Sequence, residues 1–159
     1  MIVSFDLDDT LIPSTKRFLT EKQKIFHKFL GIEKMRLGTK KLFEELRQNG
    51  HQIYIYTTSM RSEFKINLFF FSYGMSVDFI INQQKHKKEV RGLAKNSSKF
   101  PPAFGIDVHI DDSLGVQMEG EKYGFKTIII DFENTNWTKI IVENLTEIQN
   151  KNKIVPKTE

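Results

Sequence analysis

The chain has 159 residues, with 24 basic and 20 acidic side chains and a formal net charge of +4. This is the length of one domain, and 39% hydrophobic and 28% charged residues are typical of a globular protein. The absence of cysteine excludes disulfides, thiolate metal sites and cysteine nucleophiles, and it fits a reducing cytoplasm.

The apolar segments are too short for a secretory leader or a membrane span. Asp6 interrupts the first apolar run after only a few residues, so we expect no signal peptide. The run 68–71 is far below the roughly 20 residues that a membrane-spanning helix needs. A cytoplasmic protein without a membrane partner is therefore expected.

Strand-like and helix-like segments alternate along the chain. Several of the strand-like runs are apolar on both faces, as parallel strands between helices are. The predicted strands are Ile2–Phe5, Gln52–Tyr56, Phe79–Ile81, 108–110 and 127–130. The predicted helices, from the helical spacing of their apolar residues, are 21–30, Thr39–Gln48, 62–71, Leu114–Tyr123 and 136–149. This alternation predicts an α/β fold with a mostly parallel sheet.

The remaining segments predict the domain boundaries. Residues 96–102, which include two consecutive prolines, predict a loop. Residues 150–159 are polar without a periodic face and predict a flexible tail after a single domain of residues 1–149. Between the first two strands, residues 6–51 hold two helices and leave no room for a large inserted lid domain.

Acidic and hydroxyl side chains follow three of the predicted strands. The first strand ends in Asp6-Leu7-Asp8-Asp9-Thr10, the second in Thr57-Thr58-Ser59 and the fourth in Asp111-Asp112-Ser113. Parallel strands present their carboxyl ends at one edge of the sheet, where ligands of α/β folds bind. Carboxylates held this close repel one another unless a cation or a proton shares the site. The pattern therefore predicts a metal-assisted site, in which Asp9 serves the turn.

These three strand ends resemble the motifs of the haloacid dehalogenase (HAD) superfamily, in the order of that family and over residues 1–131. The resemblance implies a three-layer α/β/α sandwich with a central, mostly parallel five-stranded sheet. It places the first strand at the centre, flanked by the second and fourth strands. It also implies a Mg²⁺-dependent phosphatase, here of a capless or minimal-cap type.

The resemblance assigns the roles of the site residues. Asp6 is the nucleophile that forms an aspartyl-phosphate, and Asp8 is the general acid and then the general base. Thr57 binds the transferring phosphoryl group, aided by the amide of Thr58.

Mg²⁺ is the cofactor that the resemblance implies. Its ligands are Asp6, the backbone carbonyl of Asp8, and Asp111 or Asp112. The sequence leaves open which of the last two acids touches the metal directly.

The family also uses a lysine that holds the phosphate. We favour Lys99, because Pro101-Pro102 stiffens the loop that leads to the fourth strand. Lys85, Lys87 and Lys88, which follow the third strand, are the alternatives.

Other functions remain as alternatives. The expected partner is a phosphorylated substrate, either a small molecule or an exposed phosphate of a macromolecule, and a homo-oligomer is possible. The basic charge favours, as a second reading, a non-catalytic protein that binds nucleic acid or another anionic partner. A response regulator is disfavoured, because Thr57 stands where such a protein has its phosphate-accepting aspartate.

Overall fold

Five parallel strands form a single central sheet in the computed structural model, which describes residues 1–154 apart from the side chains of residues 93 and 152–154. The strands are β1 (Ile2–Phe5), β2 (Gln52–Tyr56), β3 (Phe79–Ile81), β4 (Val108–Asp111) and β5 (Thr127–Ile129). Their order is β3-β2-β1-β4-β5. The predicted parallel five-stranded sheet, with the first strand at its centre, is confirmed.

The register aligns the carboxyl ends of the three central strands. Phe5 pairs with Ile55 of β2 on one side and with Ile110 of β4 on the other. The next residue on β1, Asp6, donates its N–H to the carbonyl of Ile110 at 2.9 Å. The residues that follow the three strands are therefore brought to one edge of the sheet.

Helices cover both faces of the sheet, which confirms the three-layer sandwich. The helices are α1 (Ile25–Phe29), α2 (Thr39–Gln48), α3 (Glu63–Ser72), α4 (Gln83–Glu89), α5 (Leu114–Tyr123) and α6 (Trp137–Ile154). The apolar sides of α2, α3 and α6 share one core with the side chains of Val3 and Phe5 of β1. Because crossovers between parallel strands are right-handed, the strand order β3-β2-β1-β4-β5 places α4 and α5 on the opposite face.

Two of the predicted helices, α2 and α5, have the bounds expected from the sequence, and α3 begins after its predicted cap, Ser62. Helix α4 was not predicted, because its sequence is polar and buries only His86. A 3₁₀ turn at Pro101–Phe104 replaces the end of the predicted loop. Strand β4 is one residue longer than predicted, and β5 is one residue shorter.

The last helix differs from its prediction in length. Helix α6 continues to Ile154, beyond the predicted end at 149, so the first residues of the predicted tail are helical. Its surface is supported by ion pairs one turn apart, such as Lys151 with Glu147 at 3.6 Å. Residues 155–159 of the predicted tail lie outside the described residues. In the described part of the chain, no helix is long and apolar enough to cross a membrane.

Helix α1 is the other large difference, since it has five residues where ten were predicted. The spacing of its apolar residues suggested a buried stripe, but Ile25 and Phe29 are each 89% exposed. The helix is held instead by His27, whose Nε2 lies 2.9 Å from the carbonyl of Ser72 and whose ring stacks on Tyr73. The segment between β1 and β2 thus packs against the end of α3.

Arg36 is a buried cation that joins the segment before α2 to the loop after β5. Its guanidinium donates to the carbonyls of Thr10 at 3.3 Å and Asp131 at 2.8 Å, and it lies between the rings of Phe18 and Trp137. Burial lowers the pKa of Arg36 to about 10, with the charge of Asp131 opposing the shift. Hydrogen bonds to carbonyls and contacts with aromatic faces therefore stabilise a side chain that is only 2% exposed.

We predict that Arg36→Met lowers the free energy of unfolding by about 2–4 kcal/mol, because it leaves buried carbonyls without a donor. The matched control is Arg47→Met, which removes a half-exposed arginine paired with Asp78 at 3.3 Å; we expect a loss below about 1 kcal/mol there. Urea unfolding of the three proteins measures both values. Equal losses in the two variants would contradict the role given to Arg36.

Candidate active site

Asp6, the first residue after β1, is the centre of a nearly closed cluster of charges. Asp6 is only 7% exposed. Its Oδ1 accepts a hydrogen bond from Nζ of Lys99 at 2.5 Å. The same ammonium donates to the carbonyl of Tyr56 at 2.6 Å and lies 3.5 Å from Oδ2 of Asp111. One lysine thus faces both the predicted nucleophile and a predicted metal ligand.

The structure brings Lys99, rather than the other three lysines, to the predicted nucleophile. Lys99 is 2% exposed. The ammonium of Lys85 donates to the carbonyl of Ile80 and pairs with Glu63 at 2.9 Å. Lys87 and Lys88 are exposed on α4. The geometry therefore favours the assignment that the two prolines suggested.

Two side chains that the sequence analysis did not identify hold the Lys99 loop. Glu119 of α5 accepts hydrogen bonds from the N–H groups of Ser98 at 2.7 Å and Lys99 at 3.1 Å. The hydroxyl of Tyr56 accepts the N–H of Phe100 at 2.9 Å. Because Tyr56 also contacts the ammonium through its carbonyl, it positions both the backbone and the end of the lysine side chain.

Asp111 is fixed by a buried hydrogen-bonded chain that crosses from β4 to β1. Its Oδ2 accepts from Nε2 of His109 at 3.0 Å, and Nδ1 of that ring pairs with the hydroxyl of Ser4 at 2.7 Å. Burial lowers the pKa of His109, which favours the neutral ring, and in the tautomer with a proton on Nε2 that ring donates to Asp111 and accepts from Ser4. Burial would raise the pKa of Asp111, but the hydrogen bond from His109 and the charge of Lys99 together hold it well below its usual range.

Asp6 has an excess of negative charge around it. Burial raises its pKa, the ammonium of Lys99 lowers it, and the carboxylates of Asp111 and Asp8 raise it again. The net result is a pKa above the ordinary range for an aspartate. An added cation would favour the ionised form of this carboxyl.

Three carboxylates could hold such a cation. One oxygen each of Asp6, Asp111 and Asp112 lies within 4.8 Å of the others. Asp112 accepts from Nζ of Lys16 at 2.6 Å and from the hydroxyl of Thr10 at 3.3 Å. Carboxylate oxygens are hard donors of the kind that Mg²⁺ prefers. These three residues therefore fit the cofactor that the sequence predicted.

The side chain of Asp8 is not in that cluster. Its two oxygens accept from the guanidinium of Arg61 at 2.7 and 2.9 Å. Arg61 also donates to Glu33 at 2.7 Å and to the hydroxyl of Ser59 at 2.9 Å. The predicted metal contact of Asp8 is through its backbone carbonyl, so the position of its carboxylate outside the cluster agrees with that prediction. Arg61 was missed by the sequence analysis, because nothing in its spacing marks one arginine in a polar loop.

Asp9 has the structural role that its position suggested. Its φ is +62°, and its Oδ1 accepts the N–H groups of Ser14, Thr15 and Lys16 at 2.8–2.9 Å. Burial would raise its pKa, but the hydroxyl of Thr15 and these N–H groups together lower it. The carboxylate thus closes the loop after β1.

The two threonines lie at the end of β2. Thr57 is 1% exposed, and its Oγ1 accepts the N–H of Ser59 at 3.1 Å, which leaves its hydroxyl proton available to a ligand. Thr58 is exposed at the edge of the sheet. Both residues occupy the positions at which the sequence analysis expected a phosphate.

No family model matches the chain, and neither does any curated protein. Among solved structures, one chain of the Pnkp1/Rnl/Hen1 complex has a TM-score of 0.52 at 13% identity, over 83% of this chain and 46% of that one. This chain thus spans less than half the length of that match. CbbY from Rhodobacter sphaeroides, a mutant in complex with xylulose-(1,5)bisphosphate, has a TM-score of 0.51 at 14% identity, over 80% and 84% of the two chains.

A predicted HAD-like family hydrolase from Porphyromonas gingivalis also matches, with a TM-score of 0.47 at 12% identity over 93% and 97% of the two chains. The chain has a HAD-like fold, which it shares with CbbY. At these identities the similarity concerns the fold. Asp6, Lys99 and the acids at the end of β4 are the groups of this chain that could carry chemistry on that fold.

We predict that Mg²⁺ raises the melting temperature of the protein, because an ion that binds only the native state stabilises it by about 2.7 kcal/mol at 100 times its Kd. Asp111→Asn should lose most of this shift. Asp107→Asn, at an exposed position just before β4, is the matched control and should keep it, because an asparagine oxygen can still accept the N–H of Ile2 that Asp107 accepts. A thermal melt with increasing Mg²⁺ measures the effect. An equal shift in all three proteins would place the ion elsewhere.

Proposed function

We propose that this protein is a Mg²⁺-dependent phosphatase that hydrolyses a phosphomonoester through an aspartyl-phosphate on Asp6. The observation that supports it best is the buried contact of Asp6 with Lys99 beside Asp111. HAD-like hydrolase neighbours agree with a phosphatase-type function in general. The nucleophile, the metal and the substrate class are the parts that we propose.

In the first step, a carboxylate oxygen of Asp6 attacks phosphorus in line with the leaving oxygen. The P–O bond to the leaving group breaks as the bond to Asp6 forms. The bound Mg²⁺ would offset the repulsion between a carboxylate and a phosphate dianion. Lys99, which donates to Asp6 at 2.5 Å, contributes a second positive charge at the same place. The product of this step is an acyl phosphate on Asp6.

Asp8 gives a proton to the leaving oxygen, and in the second step it takes one from the attacking water. That water displaces the Asp6 carboxylate from phosphorus and releases inorganic phosphate. Arg61 orients the Asp8 carboxylate through its two hydrogen bonds. Asp8 is protonated at the start of the first step and then offers one acceptor fewer, so one of these bonds is open until the proton has passed to the leaving oxygen. The ionised, forked pair is the form that suits the second step.

The phosphoryl oxygens need donors at the end of β2. The hydroxyl of Thr57 and the N–H of Thr58 would supply them, as the resemblance implies. Thr57 is buried by its neighbours, so its hydroxyl is held in place before substrate binds. Hydrogen-bond donors that are already in position stabilise the charge that develops in the transition state.

We predict that the protein hydrolyses p-nitrophenyl phosphate with Mg²⁺ and that Asp6→Asn lowers kcat by about 10³-fold or more, because the variant has no nucleophile. Asp8→Asn should lower kcat by about 10²–10⁴-fold. EDTA should abolish the reaction. Phosphate release at constant pH measures all three effects.

Asp107→Asn is again the control, and it should keep the activity of the parent. Full activity in Asp6→Asn would refute the covalent mechanism. Absence of hydrolysis, together with binding of an anionic polymer that falls steeply with salt and ignores Asp6→Asn, would favour the alternative of a binding protein.

A further inference from the structure

A groove between α3 and the segment after α1 opens beside Asp8. Its volume is about 480 Å³, within the range of ligand-binding pockets. Apolar side chains form most of its walls: Leu7, Ile12, Leu30, Ile32, Leu68 and Phe69. We call it the α1–α3 groove.

The groove begins at the general acid. Arg61, whose guanidinium holds both oxygens of Asp8, is one of its lining residues. Leu7, between Asp6 and Asp8 in the chain, is another. In an in-line displacement the leaving group departs on the side away from Asp6, where Asp8 must reach its oxygen. The groove is therefore on the side of the leaving group.

The groove is apolar and open. Leu30 is 60% exposed and Leu68 is 38% exposed. The apolar surface continues from Leu68 to Phe64 and Phe71, which are 74% and 77% exposed and line an adjoining depression. Contiguous exposed apolar surface of this kind marks a binding site more often than scattered single residues do.

The charges at the groove are balanced. Arg61 is shared by the carboxylates of Asp8 and Glu33. Lys65 is the other cation among the lining residues. With Asp8 ionised, two cations face two carboxylates. With Asp8 protonated, the excess positive charge is that of Lys65, which is exposed and screened by water, so a second anionic group on the substrate would gain little attraction. A sugar or other polyol would lose hydrogen bonds to water against the leucine and isoleucine walls.

We propose that the α1–α3 groove binds the leaving group of the substrate and that this group is neutral and apolar, an alkyl chain or an aryl ring esterified to the phosphate. The proposal rests on the proposed phosphatase function and specifies its substrate class. Because Asp6 and Thr57 fix the position of the phosphate, an attached alkyl chain would extend into the groove. Burial of each methylene there would stabilise the transition state.

The test is a series of linear alkyl phosphates, from ethyl to octyl, used below their micellar concentrations with Mg²⁺. The chemistry at phosphorus is nearly constant along the series. We expect kcat/KM to rise about two- to fourfold per methylene until the groove is filled. Propyl phosphate should also be a better substrate than glycerol 1-phosphate, which has the same number of carbon atoms.

Leu68→Ser tests the groove itself, and the expected result is a much flatter dependence on chain length. The matched control is Met118→Ser on α5, because Met118 is 68% exposed on the opposite face of the sheet. This control should keep the slope of the parent. A flat series in the parent, a preference for glycerol 1-phosphate, or an unchanged slope in Leu68→Ser would overturn the proposal. A phosphopeptide hydrolysed far faster than every alkyl phosphate would also overturn it.

Failure of the proposed phosphatase function can be distinguished from failure of the proposed substrate class. If p-nitrophenyl phosphate and all alkyl phosphates are stable, the phosphatase function is refuted. In that case alkylphosphonates, which cannot be hydrolysed at the P–C bond, test whether the groove binds alkyl chains. Affinity measured by calorimetry that rises with chain length in the parent, but not in Leu68→Ser, would support binding in the groove. Binding independent of chain length would overturn it.

Discussion

The ammonium of Lys99 compensates two carboxylates in a place that is nearly closed to water, and the geometry of the site depends on this contact. The side chains of Lys99 and Asp111 are each 3% exposed, and that of Asp6 is 10% exposed. Removing one partner from such a group leaves an uncompensated buried charge, at a cost of about 3–5 kcal/mol. The loop that holds Lys99 must therefore be fixed as firmly as the strands, which explains the hydrogen bonds that its N–H groups donate to Glu119 and Tyr56.

The other charges of the site are compensated separately. Asp112 pairs with Lys16, and Asp8 pairs with Arg61. Asp9 is satisfied by backbone N–H groups of its own loop. Each carboxylate thus has its own partner, so Asp8 can exchange a proton without disturbing the contact of Lys99 with Asp6. Neighbouring acids in different environments can in this way take different roles.

The strands, α2 and α5 could be predicted from the sequence, because their apolar spacing and their glycine stop signals agree with their packing. Helix α4 could not be predicted, because a polar helix with one buried histidine has no apolar stripe. Helix α1 was predicted too long, because its apolar residues Ile25 and Phe29 face outwards instead of into a core. Local spacing indicates that a helix has an apolar face, but the rest of the fold decides whether that face is covered.

The same distinction applies to the site. Asp6, Thr57 and the acids at the end of β4 could be expected near one another because each ends or follows a strand, and parallel strands bring their ends together. Lys99 could be favoured because two prolines follow it. Arg61 and Glu119 act across loops that are distant in sequence, so their positions depend on tertiary structure.

The covalent step at Asp6 is the central claim, and the stereochemistry at phosphorus tests it most directly. The measurement uses a phosphomonoester made chiral at phosphorus with three oxygen isotopes, whose phosphoryl group the protein transfers with Mg²⁺ to an acceptor alcohol. Two in-line displacements, first by Asp6 and then by the alcohol, predict net retention of configuration in the new phosphomonoester. Net inversion would show a single displacement by the alcohol and would contradict the aspartyl-phosphate on Asp6.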